Sequence, residues 1–567
     1  MSIIDWIVLL TTLLLIVLYG VWKSRGAKNI EGYLLADRQL PWYHVGLSVM
    51  ATQASAITFL SAPGQAYSDG LRFVQFYFGL PLAMVVLCIT FIPIFHKLNV
   101  YTAYEYLEKR FDNKTRTLTA FLFLLQRGLS TGITIYAPAI VLSSILHVNI
   151  TYTILFNGFL VIIYTVYGGT KAVSYTQLLQ MSIIFAGLFL AAFMVVHLLP
   201  ENVGFVDALH IAGKMEKLNA IDTTFDLNNR YNIWSGIIGG FFLQLSYFGT
   251  DQSQVGRYLT GSSVTQSRLG LVMNGLVKIP MQFFILLIGT LVFAFYQFYQ
   301  PPVFFNKVEL EKVRSSSYAQ EYKRLEDAYV LLHSEKKKTV EELVVSIQNN
   351  EEEQVPEIKE RLSSFTKEDK EIRKELTALM LKNDPQADTN DTNYVFLHFV
   401  TEQLPVGVIG LLIAIIFLAS MGSTASGLNS LASTTVVDFY KRIFKKTESD
   451  KKYLSASRWS TVAWGIFCVI VALYASKLGN LIEAVNILGS LFYGTILGIF
   501  LVAFYLKKIS GTAVFIAALI AEAFIVYAWM VDLTAFLWLN VIGCLAVMLF
   551  ALIIQQLLNY QSKRKAV

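Results

Sequence analysis

Residues 47–70 read LSVMATQASAITFLSAPGQAYSDG, and how that stretch crosses a bilayer decides the fold. It is as long as a membrane-spanning helix, yet Thr52, Gln53, Ser55, Thr58 and Ser61 crowd its middle, and Pro63 and Gly64 follow. An unbroken α-helix is a poor description of such a segment. Two readings stand. One is a broken transmembrane helix whose unwound backbone lines a protein-enclosed or wet cavity and offers its freed carbonyls to a cation. The other is a kinked helix whose small residues let neighbouring helices pack closely.

The rest of the chain is that of a polytopic membrane protein. Of its 567 residues 55% are hydrophobic and only 15% charged, far more apolar residue than a soluble domain needs. Apolar runs of spanning length recur near 3–22, 42–67, 72–96, 118–146, 152–167, 174–198, 233–256, 267–298, 404–425, 456–475, 481–506, 511–531 and 535–557. They make an all-α protein of about thirteen transmembrane helices. The first run has no basic residues before it and no small-residue cleavage site, so it reads as a retained helix with the N-terminus outside. Alternate loops then carry the positive charge: Lys23, Arg25 and Lys28; Lys97, Lys109, Arg110, Lys114 and Arg116; Lys171; Arg257; Lys441, Arg442, Lys445, Lys446, Lys451 and Lys452; Lys507 and Lys508; and Lys563, Arg564 and Lys565. These loops are expected in the cytoplasm of a cell with this protein in its plasma or inner membrane, the C-terminus included. The net charge of +6 therefore reports topology and not a nucleic-acid partner. Cys88, Cys468 and Cys544 all fall inside apolar runs, with neither disulfide nor metal-site spacing.

Residues 303–396 interrupt the pattern. They are dense in Glu and Lys, with apolar residues at the helical spacing of a hairpin that ends in the turn-like KNDPQAD, 382–388. The segment reads as a mostly helical extracytoplasmic insertion dividing the transmembrane domain into parts 1–302 and 397–567. Its functional readings are a cap over the outer entrance or a docking surface for an envelope partner; a plain solvated insertion is the alternative.

Several ordered motifs resemble the sodium/solute symporter family, which includes carriers of glucose, monocarboxylates, multivitamins, iodide, proline and sialic acid. They are ATQASAITFLSAP, VYTAYEYLEKRF, RGLSTGITIYAPAI, YGGTKAVSYTQLLQ and YFGTDQSQVGRYLT. The resemblance implies two inverted five-helix repeats, whose first helices are the runs 42–67 and 233–256, with extra N-terminal and C-terminal helices. Ion and solute would bind between the repeats near the midplane.

Matching motif to motif, the resemblance puts the shared sodium site at the carbonyls of Ala51, Ala54 and Ala419, at Gly422 and at the Ser423 hydroxyl. Backbone carbonyls suit a hard cation whatever the side chain. Gly422 departs from the family's usual serine. A second sodium site of some members would fall on Gln177, Ala425 and Ser426, but a neutral amide cannot offset a buried charge as a carboxylate does, so one sodium per cycle is expected. The solute positions become Gln53, Thr58, Tyr77, Gln244, Tyr247, Phe248, Lys278 and Asn486, with Arg127 well inside its span as a carboxylate clamp. An ion pair with Asp251 is the structural alternative for Lys278, and snorkelling that for Arg127.

The resulting expectation is sodium-coupled symport of a small polar solute by alternating access, a sugar or polyol on one side and a carboxylate such as a monocarboxylate, vitamin or sialic acid on the other. Proton-coupled or uncoupled transport, and a sensor acting through a separate partner, are the alternatives. No metal cluster, phosphate-binding glycine loop or nucleophile and base pair points to an enzyme.

Overall fold

A computed structural model describes residues 1–24, 32, 35–351, 353–444 and 450–565. Of the basic residues that set the topology, Arg25, Lys28, Lys445 and Lys446 lie outside the described residues. The elements are helical, with one isolated β-bridge between Leu40 and Gly261. They are α1 (Ile3–Ser24), α2 (Trp42–Gln53), α3 (Ala56–Asp69), α4 (Asn113–Leu146), α5 (Ile150–His197), α6 (Phe205–Lys214), α7 (Gly240–Thr250), α8 (Gln252–Tyr258) and α9 (Val264–Phe298). A charged pair, α10 (Ala319–Gln348) and α11 (Val355–Asn383), precedes α12 (Val408–Thr434), α13 (Asp450–Leu473), α14 (Leu481–Tyr505), α15 (Gly511–Met530) and α16 (Phe536–Lys565). Helices Leu80–Val86 and Ile92–Leu98 form one further span about a π-helical turn at Leu87–Phe91.

Ten stretches of the described residues are long and apolar enough to cross a bilayer. The 43-residue stretch Ala56–Leu98 holds two of the spans expected from the sequence. The first arm of α5, Ile150–Val166, is shorter, and the run around α7 is interrupted. Though continuous by its backbone bonds, α5 doubles back. The Tyr164 and Thr176 hydroxyls are 3.1 Å apart, whereas a straight helix would separate positions twelve residues apart by about 18 Å.

The decisive local feature is a pair of interruptions. In a continuous helix the Ser55 N–H would bond the Ala51 carbonyl and the Thr58 N–H that of Ala54. Instead Ser55 N–H bonds Gln53 O at 3.0 Å and Thr58 N–H bonds Ser55 O at 2.9 Å. The helix therefore breaks at Ala54 and Ser55, between α2 and α3. Pro63 and Gly64, further along, are accommodated inside α3. The second interruption is at Asp251, in extended backbone between α7 and α8, and its carboxylate caps α8 by accepting from Ser253 N–H at 2.8 Å.

Burial sorts the bundle: 78% of the most apolar stretch of α12 and 83% of that of α14 are buried, against 22% for α1 and 28% for α13. At the centre, α12 packs on α4 and α5, while α2 and α3 pack on α9. Small residues make these approaches close; a Cβ on Gly427 would meet Thr131 Oγ1 at 2.5 Å. Asp5 pins α1 to the start of α12 by accepting from the Gly407 and Gly410 N–H groups at 2.6 and 3.3 Å. At the other end of α12, the buried Asp438 accepts from Arg116 Nε at 2.7 Å and from Thr102 at 2.9 Å. The α10/α11 pair has its own apolar seam of Tyr322, Leu325, Leu376 and Met380, and α10 leans on α6 and α9.

Gly289 is where α9 meets α3, and a Cβ there would lie 2.1 Å from Pro63 O and 2.6 Å from Pro63 Cα. Backbone cannot yield as a side chain can, so Gly289→Ala should lose about 1–3 kcal/mol of stability. Thermal melting of the detergent-solubilised protein checks this; an unchanged melting temperature would contradict the close crossing.

Candidate functional site

The first interruption and helix α7, which leads into the second, line a common cavity of about 90 Å³. Thr52, Gln53, Ser55 and Thr58 reach it from the first break, and Tyr247 from the turn of α7 before the second. Arg127 comes from α4, Ser423 from α12, and Asn486 and Tyr493 from α14; Tyr77 joins them from the 3-10 turn Gly70–Tyr77. Of the residues expected at a solute site, the structure thus gathers Gln53, Thr58, Tyr77, Arg127, Tyr247 and Asn486. Gln244, Phe248 and Lys278 stand outside the cavity wall. Gln244 and Phe248 are fully buried in α7, and Lys278 is fully buried behind Tyr77, its Nζ 5.9 Å from that ring's centre. Lys278 Nζ has no hydrogen-bond partner.

Asp251 is engaged elsewhere than with Lys278. It accepts from the Tyr493 hydroxyl at 2.8 Å, and its Oδ2 is 3.7 Å from Arg127 Nη1. That ion pair is longer than a hydrogen bond, and Arg127 Nε has no partner, so the guanidinium is balanced in charge without being consumed. Arg127 is the one charged side chain lining the cavity among the described residues.

Beside the first break lies a set of oxygens. The i+4 amides of Ala51 and Ala54 are diverted, as described above. Across from them the Ser423 hydroxyl reaches the Ala419 carbonyl at 2.9 Å and also lines the cavity. Gly422 has no side chain to offer, but a Cβ there would sit 2.6 Å from Gln180 Oε1. The amide oxygen of Gln180 occupies the space a serine would need, and its Nε2 is buried without a partner. The donor set, carbonyl, hydroxyl and amide oxygen with no sulfur or imidazole, fits a hard monovalent cation.

Gln177 is tied into a closed network. Its Nε2 is 3.0 Å from Ser426 Oγ, 3.3 Å from Thr52 Oγ1 and 3.3 Å from Gly422 O, while its Oε1 accepts from Ser48 at 2.6 Å. Its amide hydrogens thus point at the oxygens that a second cation would need.

A polar contact joins α3 to the start of α14 beyond the cavity. Gln65 follows Thr58 by two helical turns on the same face of α3, and its Oε1 accepts from Asn480, the N-cap of α14. Gln180, Asp251 and Tyr493 had no flag in the sequence reading as site residues. The one available signal was Gly422, whose missing side chain asks what fills its place.

A model of the sodium:solute symporter family matches residues 33–313 and 385–521. Among similar proteins, a sodium/glucose cotransporter of Vibrio parahaemolyticus is 25% identical over 542 residues, covering 93% of this chain and 85% of that one. A sodium/sialic acid symporter of Aliivibrio fischeri is 25% identical over 553 residues, covering 96% and 92%. The solved substrate-bound outward-open structure of a Na+-coupled sialic acid symporter superposes with a TM-score of 0.74 at 22% identity over 98% of both chains, so the fold is shared. With matched segments running through both broken helices and through α12, the chain belongs to the sodium:solute symporter family, a multi-pass membrane transporter and not an enzyme.

Proposed function

We propose that this symporter moves a small monocarboxylate into the cell together with one sodium ion. The observation that carries the reading is the charge at the cavity. Arg127 and Asp251, both buried, cancel, so a single sodium leaves one uncompensated positive charge beside them. An isolated buried charge is costly, and a monoanionic solute beside Arg127 neutralises it. Arg127 gives such a carboxylate charge-assisted hydrogen bonds, with Gln53, Thr58 and Asn486 as neutral partners. Sodium is held by the carbonyls of Ala51, Ala54 and Ala419, the Ser423 hydroxyl and the Gln180 amide oxygen, which takes over from the absent side chain at Gly422. The Gln177 network supports the stoichiometry of one, because its amide hydrogens already satisfy Gly422 O and Ser426.

The positive loops support an outer N-terminus, a cytoplasmic C-terminus and an outer location for α10 and α11. The packing of α10 against α6 and α9 supports a cover over the bundle's outer end rather than a docking surface for an envelope partner. A sugar or polyol is the second reading, favoured by the amides of Gln53 and Asn486 and the Tyr77 hydroxyl around the cavity. In either case binding stabilises an outward-open state, and rocking of one bundle against the other delivers ion and solute inward.

One sodium with one monoanion is electroneutral. Proteoliposome uptake of a labelled monocarboxylate such as lactate should require an inward sodium gradient and be indifferent to an imposed membrane potential. Potential-driven uptake, or sodium-driven uptake of hexoses alone, would refute the reading. Ser423→Ala removes a ligand oxygen worth about 1.5 kcal/mol or more, so the half-saturating sodium concentration should rise about tenfold. Gly422→Ser collides with Gln180 and should also weaken sodium dependence, and adding Gln180→Ala should restore it; failure of that rescue would remove Gln180 from the ligand set.

A further inference from the structure

Between α10/α11 and the end of α3 lies a second chamber, of about 310 Å³, separate from the central cavity. Eight of its nineteen lining residues fall within 314–384, the stretch that the family model leaves unmatched. Its chemistry is unlike that of a packing defect, because four cationic side chains converge on it: Lys217, Lys336, Lys370 and Arg373. Three carboxylates face them, Asp69, Asp369 and Asp391. Arg373 is consumed by Asp391 through two contacts of 2.7 Å. Asp69 accepts from Gln65 at 2.6 Å. Lys336, only 7% exposed, has its nearest carboxylate, Asp369 Oδ2, at 3.8 Å, out of hydrogen-bond reach. Among the described residues Lys217 and Lys370 have no ion-pair partner, and Lys217 makes do with the Ser68 carbonyl and the Phe293 ring, 4.8 Å away.

Lys336, and in part the half-buried Lys217, thus lack a bonded counter-ion, which is unfavourable unless something negative joins them, while Lys370 lies exposed at the rim. The cost is visible in the amines: burial pushes Lys217 down to about 8 and holds Lys336 below the ordinary lysine range. Tyr67, Phe293, Tyr296 and Tyr329 form part of its wall. Cations beside aromatic rings in a chamber of this volume suit a small organic anion better than a hydrated inorganic one.

We propose that this chamber is an outer binding site for a small organic carboxylate, held by Lys217, Lys336 and Lys370. The assignment is independent of which solute the central cavity carries. It also gives the insertion a role, since without α10 and α11 the chamber loses Lys336 and Lys370 and has no outer wall.

Amine acetylation of the purified full-length protein, read peptide by peptide by mass spectrometry, tests it. Benzoate or lactate should slow modification of Lys217, Lys336 and Lys370 about tenfold at about ten dissociation constants, while the exposed Lys323 and Lys337 react unchanged. Lys370→Gln, an exposed substitution that leaves the fold intact, and Lys336→Met should each abolish protection at Lys217. Arg127→Gln in the central cavity should leave protection in place. Absence of protection would overturn the site, and so would equal protection by chloride or inorganic phosphate at matched ionic strength. Protection that vanishes in Arg127→Gln but survives both lysine variants would assign the effect to the central cavity and equally overturn it. Because no transport is measured, failure here is distinguishable from failure of the monocarboxylate reading.

Discussion

A backbone that leaves the helix at membrane depth has to satisfy its freed carbonyls within the protein, and this chain does so twice, at Ala54–Ser55 and at Asp251. Much of the architecture follows from that constraint. The first break leaves the Ala51 and Ala54 carbonyls without their i+4 amides, with the Ser423 hydroxyl of α12 lining the same cavity. The second is solved with a side chain, since the Asp251 carboxylate caps the α8 amides and then has an oxygen left for Tyr493 and a charge left for Arg127. One break thus leaves carbonyl oxygens free and the other supplies a balanced ion pair, with Arg127 of that pair lining the cavity.

The fold was largely legible because its determinants are long-range in composition and short-range in position. Thirteen apolar runs, the alternation of basic loops and the polar middle of residues 47–70 all survive in a bare sequence. The location of the break was less so. Pro63 and Gly64 are the conspicuous punctuation, yet the hydrogen bonds part at Ala54 and Ser55, because proline in mid-helix costs one bond whereas the Ser55 and Thr58 amides both change partner. The reversal inside α5, marked by the approach of Tyr164 to Thr176, was legible, since the apolar runs 152–167 and 174–198 flank Gly168 and Gly169.

The site was half legible. Residue types that bond through side chains, such as Arg127, Thr58 and Ser423, could be singled out, and the structure gathers them around one cavity. Lys278 shows the limit, since a mid-span lysine is a strong flag for polarity but does not say which side of Tyr77 it occupies. Gln180 shows another. Glutamines at 177 and 180 look alike in sequence, yet one turns its amide hydrogens toward Gly422 O while the other places its oxygen where a side chain at 422 would be. That distinction is made by the packing of α5 against α12, not by composition.

The same packing explains why an ion can act on conformation at all. Helix α12 belongs to a tightly joined group, held to α4 by the buried Arg116 and Asp438 pair and by glycine-mediated contact, whereas α2 and α3 pack chiefly on α9. Among the described residues the bonds between the two groups near the break are neutral, Thr52 to Ser426 at 3.2 Å and the Gln177 bridge. Each neutral bond contributes about 0.5–1.5 kcal/mol, small enough to exchange during a rocking motion. On the sodium site proposed above, a cation taking oxygens from Ala51 and Ala54 on one group and from Ala419 and Ser423 on the other would bind well only when the groups stand at one separation. A ligand shifts an equilibrium by its difference in affinity between states, and a ligand set split across the moving boundary is what creates that difference.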